Sequence, residues 1–484
     1  MRNKVIKTCC FLLILALLLC GFRSIFSFKY VDGIYQWDVF YEEEEDSIDV
    51  LCMGSSHIFE NVNTGVLWDE YGIAAFDLCG SRQPLWNTYY FLKEALKTQT
   101  PRLIVVDVYS ALQQDEYSDE SRIIKNNYGL KLSRDKAESV MVSAPEEKWP
   151  DYLLEYPTWH SRYSEIDSSD FLDYLGRSTM QCWKGYALNS NTTAMVRPEG
   201  IEYIMAAAEM PEKAEEYMRK IIELAQQEEI PLLFIETPYI VSVEEQMILN
   251  RAGEIAEENG IPFVNFNLFY DAMGLDFQND FADADHLNHR GNVKFSDYLG
   301  QYIKNHYEVP DRRGEETYAS YEQMAEECRR HIENQEVKET GDFYQYFQKL
   351  QDEEYTVICR VSADCKNVMN YEEVRNELLT YGINLDGISD DTVWVTQGNR
   401  ILFQAQKGED ALWHEEKGMN DILSVSSSED GSYMAELNHE VYAAVDSGID
   451  LLVYDDLTGS LVESAGFPVN ENILQFYKVS GNHE

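Results

Sequence analysis

Between residues 47 and 307 short runs rich in Val, Ile, Leu and Phe alternate with longer amphipathic stretches. Apolar runs of this length, bounded by Gly, Pro or polar residues, read as buried strands, and their alternation with helices gives an α/β domain built on a parallel sheet. Strands are predicted over 47–53, 72–79, 102–109, 231–239 and 261–266, and helices over 86–99, 211–229 and 243–259, with a closing helix over 291–307. Pro211 suits a first helical turn and Gly260 a C-terminal cap. The predicted fold class is therefore α/β, a five-stranded parallel sheet in an α/β/α sandwich. Residues 110–210 break the rhythm with a Tyr- and Trp-rich stretch, long enough to be an insertion that shapes a pocket.

The pattern changes again past the closing helix. Pro310-Asp-Arg-Arg-Gly314 reads as a linker, which divides the chain into a main domain over 30–309, a linker over 310–317 and an accessory domain over 318–484. That last part opens with a charged helical segment to about residue 350. Strand-like runs follow at 355–361, 392–395, 400–404, 440–445, 450–454 and 460–464, so it is mostly β, and Gly448 to Gly459 reads as a structural hairpin. No internal repeat and no low-complexity segment is evident.

The N-terminus is apolar in another way. Arg2, Lys4 and Lys7 precede an uncharged stretch from Thr8 to Phe22, and with Arg23 snorkelling the segment extends to Phe28. No small-x-small cleavage site follows, and Leu19 stands before Cys20 where a lipoprotein would carry a small residue, so residues 1–29 are expected to be an uncleaved, single-pass membrane anchor. Positive charge before the span places the remainder outside the cytoplasm.

Charge and cysteines narrow the partners. The 86 acidic against 39 basic residues give a net charge of −47, which repels phosphate backbones and argues against nucleic acid as a partner. The acids are scattered along the soluble part, and the run Glu42 to Asp46 is expected to be a solvated spacer. The nine cysteines form no CxxC pair, so no zinc site or dense disulfide framework is indicated. Cys359 and Cys365 are close enough to close a small loop in an oxidising compartment, which spacing alone does not establish.

Two segments carry candidate chemistry. Gly54-Ser55-Ser56-His57 directly follows the first apolar run, which puts Ser56 at the carboxyl end of a strand, where open α/β sheets bind ligands. Two other Gly-x-Ser triplets, Gly176 to Ser178 and Gly387 to Ser389, follow no such strand. Asp283-Ala-Asp-His286 sets an aspartate three residues before a histidine. In a tight turn that aspartate can hold the imidazole Nδ1–H and leave Nε2 to take a proton from a serine. Asp285 and His289 stand nearby, but no group has clear ligand spacing, and no metal or cofactor is expected.

Together these blocks resemble the SGNH/GDSL hydrolase superfamily over residues 47–307, with Gly54-Ser55-Ser56 in place of the family's Gly-Asp-Ser. The resemblance implies a Ser56, His286 and Asp283 triad and an oxyanion hole formed by the N–H groups of Ser56 and Gly80. The third strand ends Val106-Asp-Val-Tyr109, without the family's Gly-x-Asn-Asp block, so Gln83 or Asn87 is the candidate for a further amide donor. With Tyr156-Pro-Thr-Trp-His-Ser-Arg162, Glu236-Thr-Pro-Tyr239 and the His-Leu-Asn-x-x-Gly291 tail, the chain resembles the surface-polymer branch, the proteins of teichoic-acid D-alanylation and polysaccharide O-acetylation. That likeness implies transfer of an acetyl-like group to a cell-surface polysaccharide, partnership with a membrane-bound O-acyltransferase, and His57, His160 and Arg162 as pocket residues. A carbohydrate esterase, or a weakly catalytic scaffold that binds glycan or a partner, would fit the same motifs.

Overall fold

The structure, a computed structural model, describes residues 2–113, 116–174, 180–386, 388–417, 421–427 and 433–481. The chain forms two compact units, Met1–Glu326 and Glu327–Glu484.

In the first unit the apolar runs form β1 (Val50–Gly54), β2 (Ala75–Cys79), β3 (Leu103–Asp107), β4 (Leu232–Glu236) and β5 (Phe263–Asn265). They pair in parallel in the order β2-β1-β3-β4-β5. Side chains alternate across the pleat. Leu51, Met53, Phe76, Leu78, Ile104, Val106, Leu232 and Phe234 therefore enter one core, and Val50, Cys52, Ala75, Cys79, Leu103, Val105, Leu233 and Ile235 the other. Two buried faces explain why these strands read as continuous apolar runs. The sheet grows in opposite directions from β1, to β2 on one side and β3 on the other, which opens a crevice at the carboxyl ends of these strands.

The helices Leu85–Ala95, Glu212–Gln227 and Val243–Glu258 lie close to their predicted ranges, the last begun by a Ser242/Glu245 capping box. The closing helix runs His289–His306, with Asn288 accepting from Arg290 N and Gly291 N as its cap. Gly291 is needed there for a close approach, since a Cβ would stand 2.2 Å from the Asp280 carbonyl oxygen. We expect Gly291→Ala to destabilise the chain by about 1–3 kcal/mol, the cost of overpacking a close contact. A thermal melt checks this, and an unchanged midpoint would show that the loop yields freely.

Two expectations are corrected, the first at a single residue. Of the acidic run Glu42 to Asp46, residues Glu42, Glu44, Glu45 and Asp46 are exposed, as expected of a solvated spacer, and Glu43 is packed instead. The helix Gln36–Glu42 buries Trp37 and Phe40 in the core, and Glu43 forms a buried ion pair with Lys184 at 2.6 Å. Residues 310–317 are fastened to the first unit, because Arg312 pairs with the nearly buried Asp49 at 2.8 Å and Arg313 Nη1 donates to the Asp69 carbonyl at 2.7 Å. Part of the insertion also seals the sheet edge. Asp77 N in β2 donates to Lys184 O at 2.8 Å, and covering an edge strand in this way removes a pairing template.

The second unit holds a seven-stranded antiparallel sheet centred on Tyr355–Val361 and Gly448–Asp455, and a four-stranded one that includes Ala411–Lys417, Asp421–Ser427 and Tyr433–Leu437. Gly448–Asp455 pairs with Ser460–Asn470 as the expected hairpin. Cys359 and Cys365 are buried free thiols.

Candidate active site

β1 delivers the serine. Gly54 ends the strand at φ +151°, and a Cβ there would meet Asp107 Cβ at 2.8 Å, so the turn into Ser55 depends on glycine. Ser55 caps the short helix Ser56–Phe59 by accepting from His57 N at 3.3 Å. Ser56 opens that helix, so its N–H is a first-turn donor without an intrahelical partner.

The histidine comes from a tight turn. Phe281 and Leu287 form an antiparallel bridge, Ala282 N donates to His286 O at 2.9 Å, and Asp283 Oδ1 accepts from Asp285 N at 2.8 Å and His286 N at 3.0 Å. The same carboxylate holds the imidazole, with Nδ1 at 2.9 Å from Oδ1 and 3.1 Å from Oδ2. With Nδ1–H donating to Asp283, Nε2 is the acceptor and takes a hydrogen bond from Ser56 Oγ at 2.8 Å. The structure thus brings Ser56, His286 and Asp283 into one chain of hydrogen bonds across 230 residues.

Electrostatics suit a base at His286. Burial alone would lower its pKa, but the Asp283 hydrogen bond and the charges of Glu60, Asp283 and Asp285 outweigh burial and raise it above 6.5. The hydrogen bond from His286 holds Asp283 down at about 2.

Neighbours that sequence reasoning missed complete the site. Glu60, one helical turn past Ser56, puts Oε1 3.9 Å from His286 Nε2 and accepts from Asn189 Nδ2 at 2.6 Å; burial raises its pKa despite these partners. Asn61 accepts from Leu287 N at 2.8 Å and donates to Thr237 Oγ1 at 2.9 Å, which ties the histidine turn to the end of β4. Glu60 follows Ser56 by four residues, the one signal by which it could have been found; Asn61, past the end of the helix, gave none.

Behind the serine lies a buried trio. His57, Asp107 and Glu236 each offer a ligand-type atom, all within 4.8 Å of one another. His57 stacks on Tyr109 with ring centroids 3.7 Å apart and stands 5.6 Å from the His286 ring. Asp107 accepts from Tyr109 N at 3.1 Å and Thr237 N at 3.2 Å. Glu236 Oε1 stands 3.5 Å from His57 Nδ1, and neither oxygen of Glu236 has a hydrogen-bond partner among the described residues.

The remaining candidates divide. Gly80 follows β2, whose Cys79 is in register with Gly54, so it stands beside the serine turn. Gln83 is fully buried and donates to Thr88 Oγ1 at 3.0 Å, and Asn87 donates to Ser139 and Ser143 at 2.9 Å, so both amides are committed away from an oxyanion. His57 does not line an open pocket, because it is fully buried. Arg162 pairs with Asp170 at 3.0 Å and donates to the Ser27 carbonyl, anchoring the insertion to the segment after the N-terminal helix. His160 is exposed beside Tyr163. Residues 176–178 and Gly387 of the other Gly-x-Ser triplets lie outside the described residues.

No family model and no curated protein matches the chain. Solved structures similar to it include a protein described as lipolytic and of the G-D-S-L family from Desulfitobacterium hafniense DCB-2, at 11% identity, TM-score 0.27, 52% of this chain and 97% of that one. A GDSL-like lipase from Bacteroides thetaiotaomicron VPI-5482 is similar at 12% identity, TM-score 0.25, 53% of this chain and 87% of that one. A catalytic mutant of an acetylxylan esterase from Geobacillus stearothermophilus is similar at 12% identity, TM-score 0.26, 56% of this chain and all of that one (100%). At such values the likeness carries no argument, and the reading of the site rests on its own geometry.

Proposed function

We propose that this chain is a serine enzyme of the SGNH type that forms an acyl-enzyme at Ser56 and passes an acetyl-like group to a hydroxyl of a cell-surface polysaccharide. The observation that carries the reading is the continuous chain from Ser56 Oγ through His286 to Asp283, with contacts of 2.8 and 2.9 Å. In this scheme Ser56 Oγ attacks the ester carbonyl while Nε2 of His286 takes its proton. The tetrahedral oxyanion is met by the N–H groups of Ser56 and Gly80, and the leaving alcohol departs with the proton from Nε2. An acceptor hydroxyl then repeats the attack on the acyl-enzyme.

A membrane tether fits this role, and the helix Arg2–Phe26 contains a stretch, Val5–Phe26, long and apolar enough to span a bilayer. It would hold the site outside the membrane, where a membrane-bound O-acyltransferase could supply the acyl group. One observation favours hydrolysis as a second reading. Asp283 is 57% exposed and His286 17%, so water can reach the acyl-enzyme.

The test is turnover of a chromogenic acetyl ester with and without oligosaccharide acceptors. Stimulation by acceptor, with acetyl recovered on sugar, selects transfer. Turnover that ignores the acceptor selects hydrolysis, and absence of both turnover and fluorophosphonate labelling in the folded chain rejects the acyl-enzyme.

A further inference from the structure

The ends of three adjacent strands converge behind the nucleophile. β1 leads into His57, β3 ends at Asp107 and β4 ends at Glu236, and these side chains meet in the closed interior with 0% exposure each. A buried carboxyl group normally has hydrogen-bond partners, because an unpaired one costs several kcal/mol. Asp107 has two backbone donors, yet neither oxygen of Glu236 has a hydrogen-bond partner among the described residues. The charges acting on Glu236 from its surroundings, Asp107 and Glu245, are negative and add to its burial penalty.

We infer that His57, Asp107 and Glu236 form a structural site for a zinc ion. Two carboxylates and a neutral imidazole would balance the charge of a divalent cation, which turns two adjacent buried acids from a liability into a neutral cluster. The three ligand-type atoms lie within 4.8 Å of one another, which leaves the centre of the group within about an ångström of the bond length zinc makes to nitrogen and oxygen. Thr237 Oγ1, 3.3 Å from His57 Nδ1, offers a fourth oxygen. One nitrogen and few oxygens in a closed space suit zinc better than calcium or magnesium, which take six or more oxygens, protein or water. The expectation from sequence, where only Asp285 and His289 stood as possible ligands and no metal was indicated, is revised on this point. The ion would clamp the ends of β1, β3 and β4 beneath Ser56, a role independent of whether the serine acylates.

The full-length chain, purified in detergent without a polyhistidine tag, tests this by metal analysis and by titration with zinc after dialysis against a chelator. Zinc at one per chain, a rise in melting temperature on its return, and loss of both in Glu236→Gln and His57→Asn are the expected results. Cobalt keeps the test independent of those variants' folding. The wild-type chain should show ligand-field bands without a thiolate charge-transfer band. A folded wild-type chain that takes up neither metal overturns the inference. So does zinc binding that persists unchanged in both variants, which would place the ion elsewhere on this acidic chain.

Discussion

Ser56→Ala should abolish labelling by a fluorophosphonate and reduce ester turnover by about 10³–10⁶-fold, the range that loss of a triad serine carries. The fold should survive, because Ser56 Oγ bonds to His286 and the cap of its helix comes from Ser55 instead. Ser55→Ala is the informative control. Ser55 Oγ accepts from His57 N as the helix cap, so its removal should cost about 1 kcal/mol of stability and leave labelling in place. Labelling that persists in Ser56→Ala would move the nucleophile to another residue. Labelling lost equally in both variants would show that the turn itself, held by the positive φ of Gly54, had been disturbed.

What the sequence made legible was local. Asp283 and His286 are three residues apart, and Ser56 directly follows an apolar run, so both signals fit inside a short window. Strand identity was legible for a similar reason, since burial on both faces leaves a run such as Leu103–Asp107 apolar almost throughout. The strands of the four-stranded sheet bury one face only. In Asp421–Ser427, Leu423 and Val425 point inward with Ser424 between them and Ser426 after, and a run so interrupted by polar residues gives a weak strand signal. The trio at positions 57, 107 and 236 was out of reach of any window, being assembled by the sheet order. A trace of it was present, because acids end both β3 and β4, an unusual place for a charge in a strand buried on both sides. Gln83 and Asn87 misled because proximity in sequence to Gly80 says nothing of where an amide points. Gln83, in the turn before the helix Leu85–Ala95, and Asn87, in its first turn, both face the interior, where hydroxyls of Thr88, Ser139 and Ser143 accept from them.

Asp283→Asn should lower kcat/KM by up to about 10⁴-fold and shift its pH profile, two effects with one cause. In the wild type, activity needs a neutral imidazole, and the net effect of burial, the Asp283 hydrogen bond and the nearby acids raises the pKa of His286 above 6.5. The acidic limb of kcat/KM should therefore inflect above the ordinary histidine value, with activity rising as pH rises. The amide introduced by Asp283→Asn keeps an oxygen for Asp285 N and His286 N, which fixes it so that its NH₂ faces Nδ1 from the Oδ2 position, 3.1 Å away in the wild type. A donor there favours the tautomer with the proton on Nε2, which cannot accept from Ser56. With the charge gone, burial acts with less opposition and the inflection should move down. Linkage gives a second readout with the opposite dependence on pH. The raised His286 contributes stability that is full below 6.5 and is lost as pH rises through its folded value, and the depressed Asp283 contributes stability that is full above 3.8 and is lost as pH falls towards about 2. The wild-type advantage over Asp283→Asn in thermal melts should thus be largest between those ordinary values, where turnover by the base is least. An unchanged pH limb in a folded Asp283→Asn variant would remove Asp283 from the base and leave it as a turn cap.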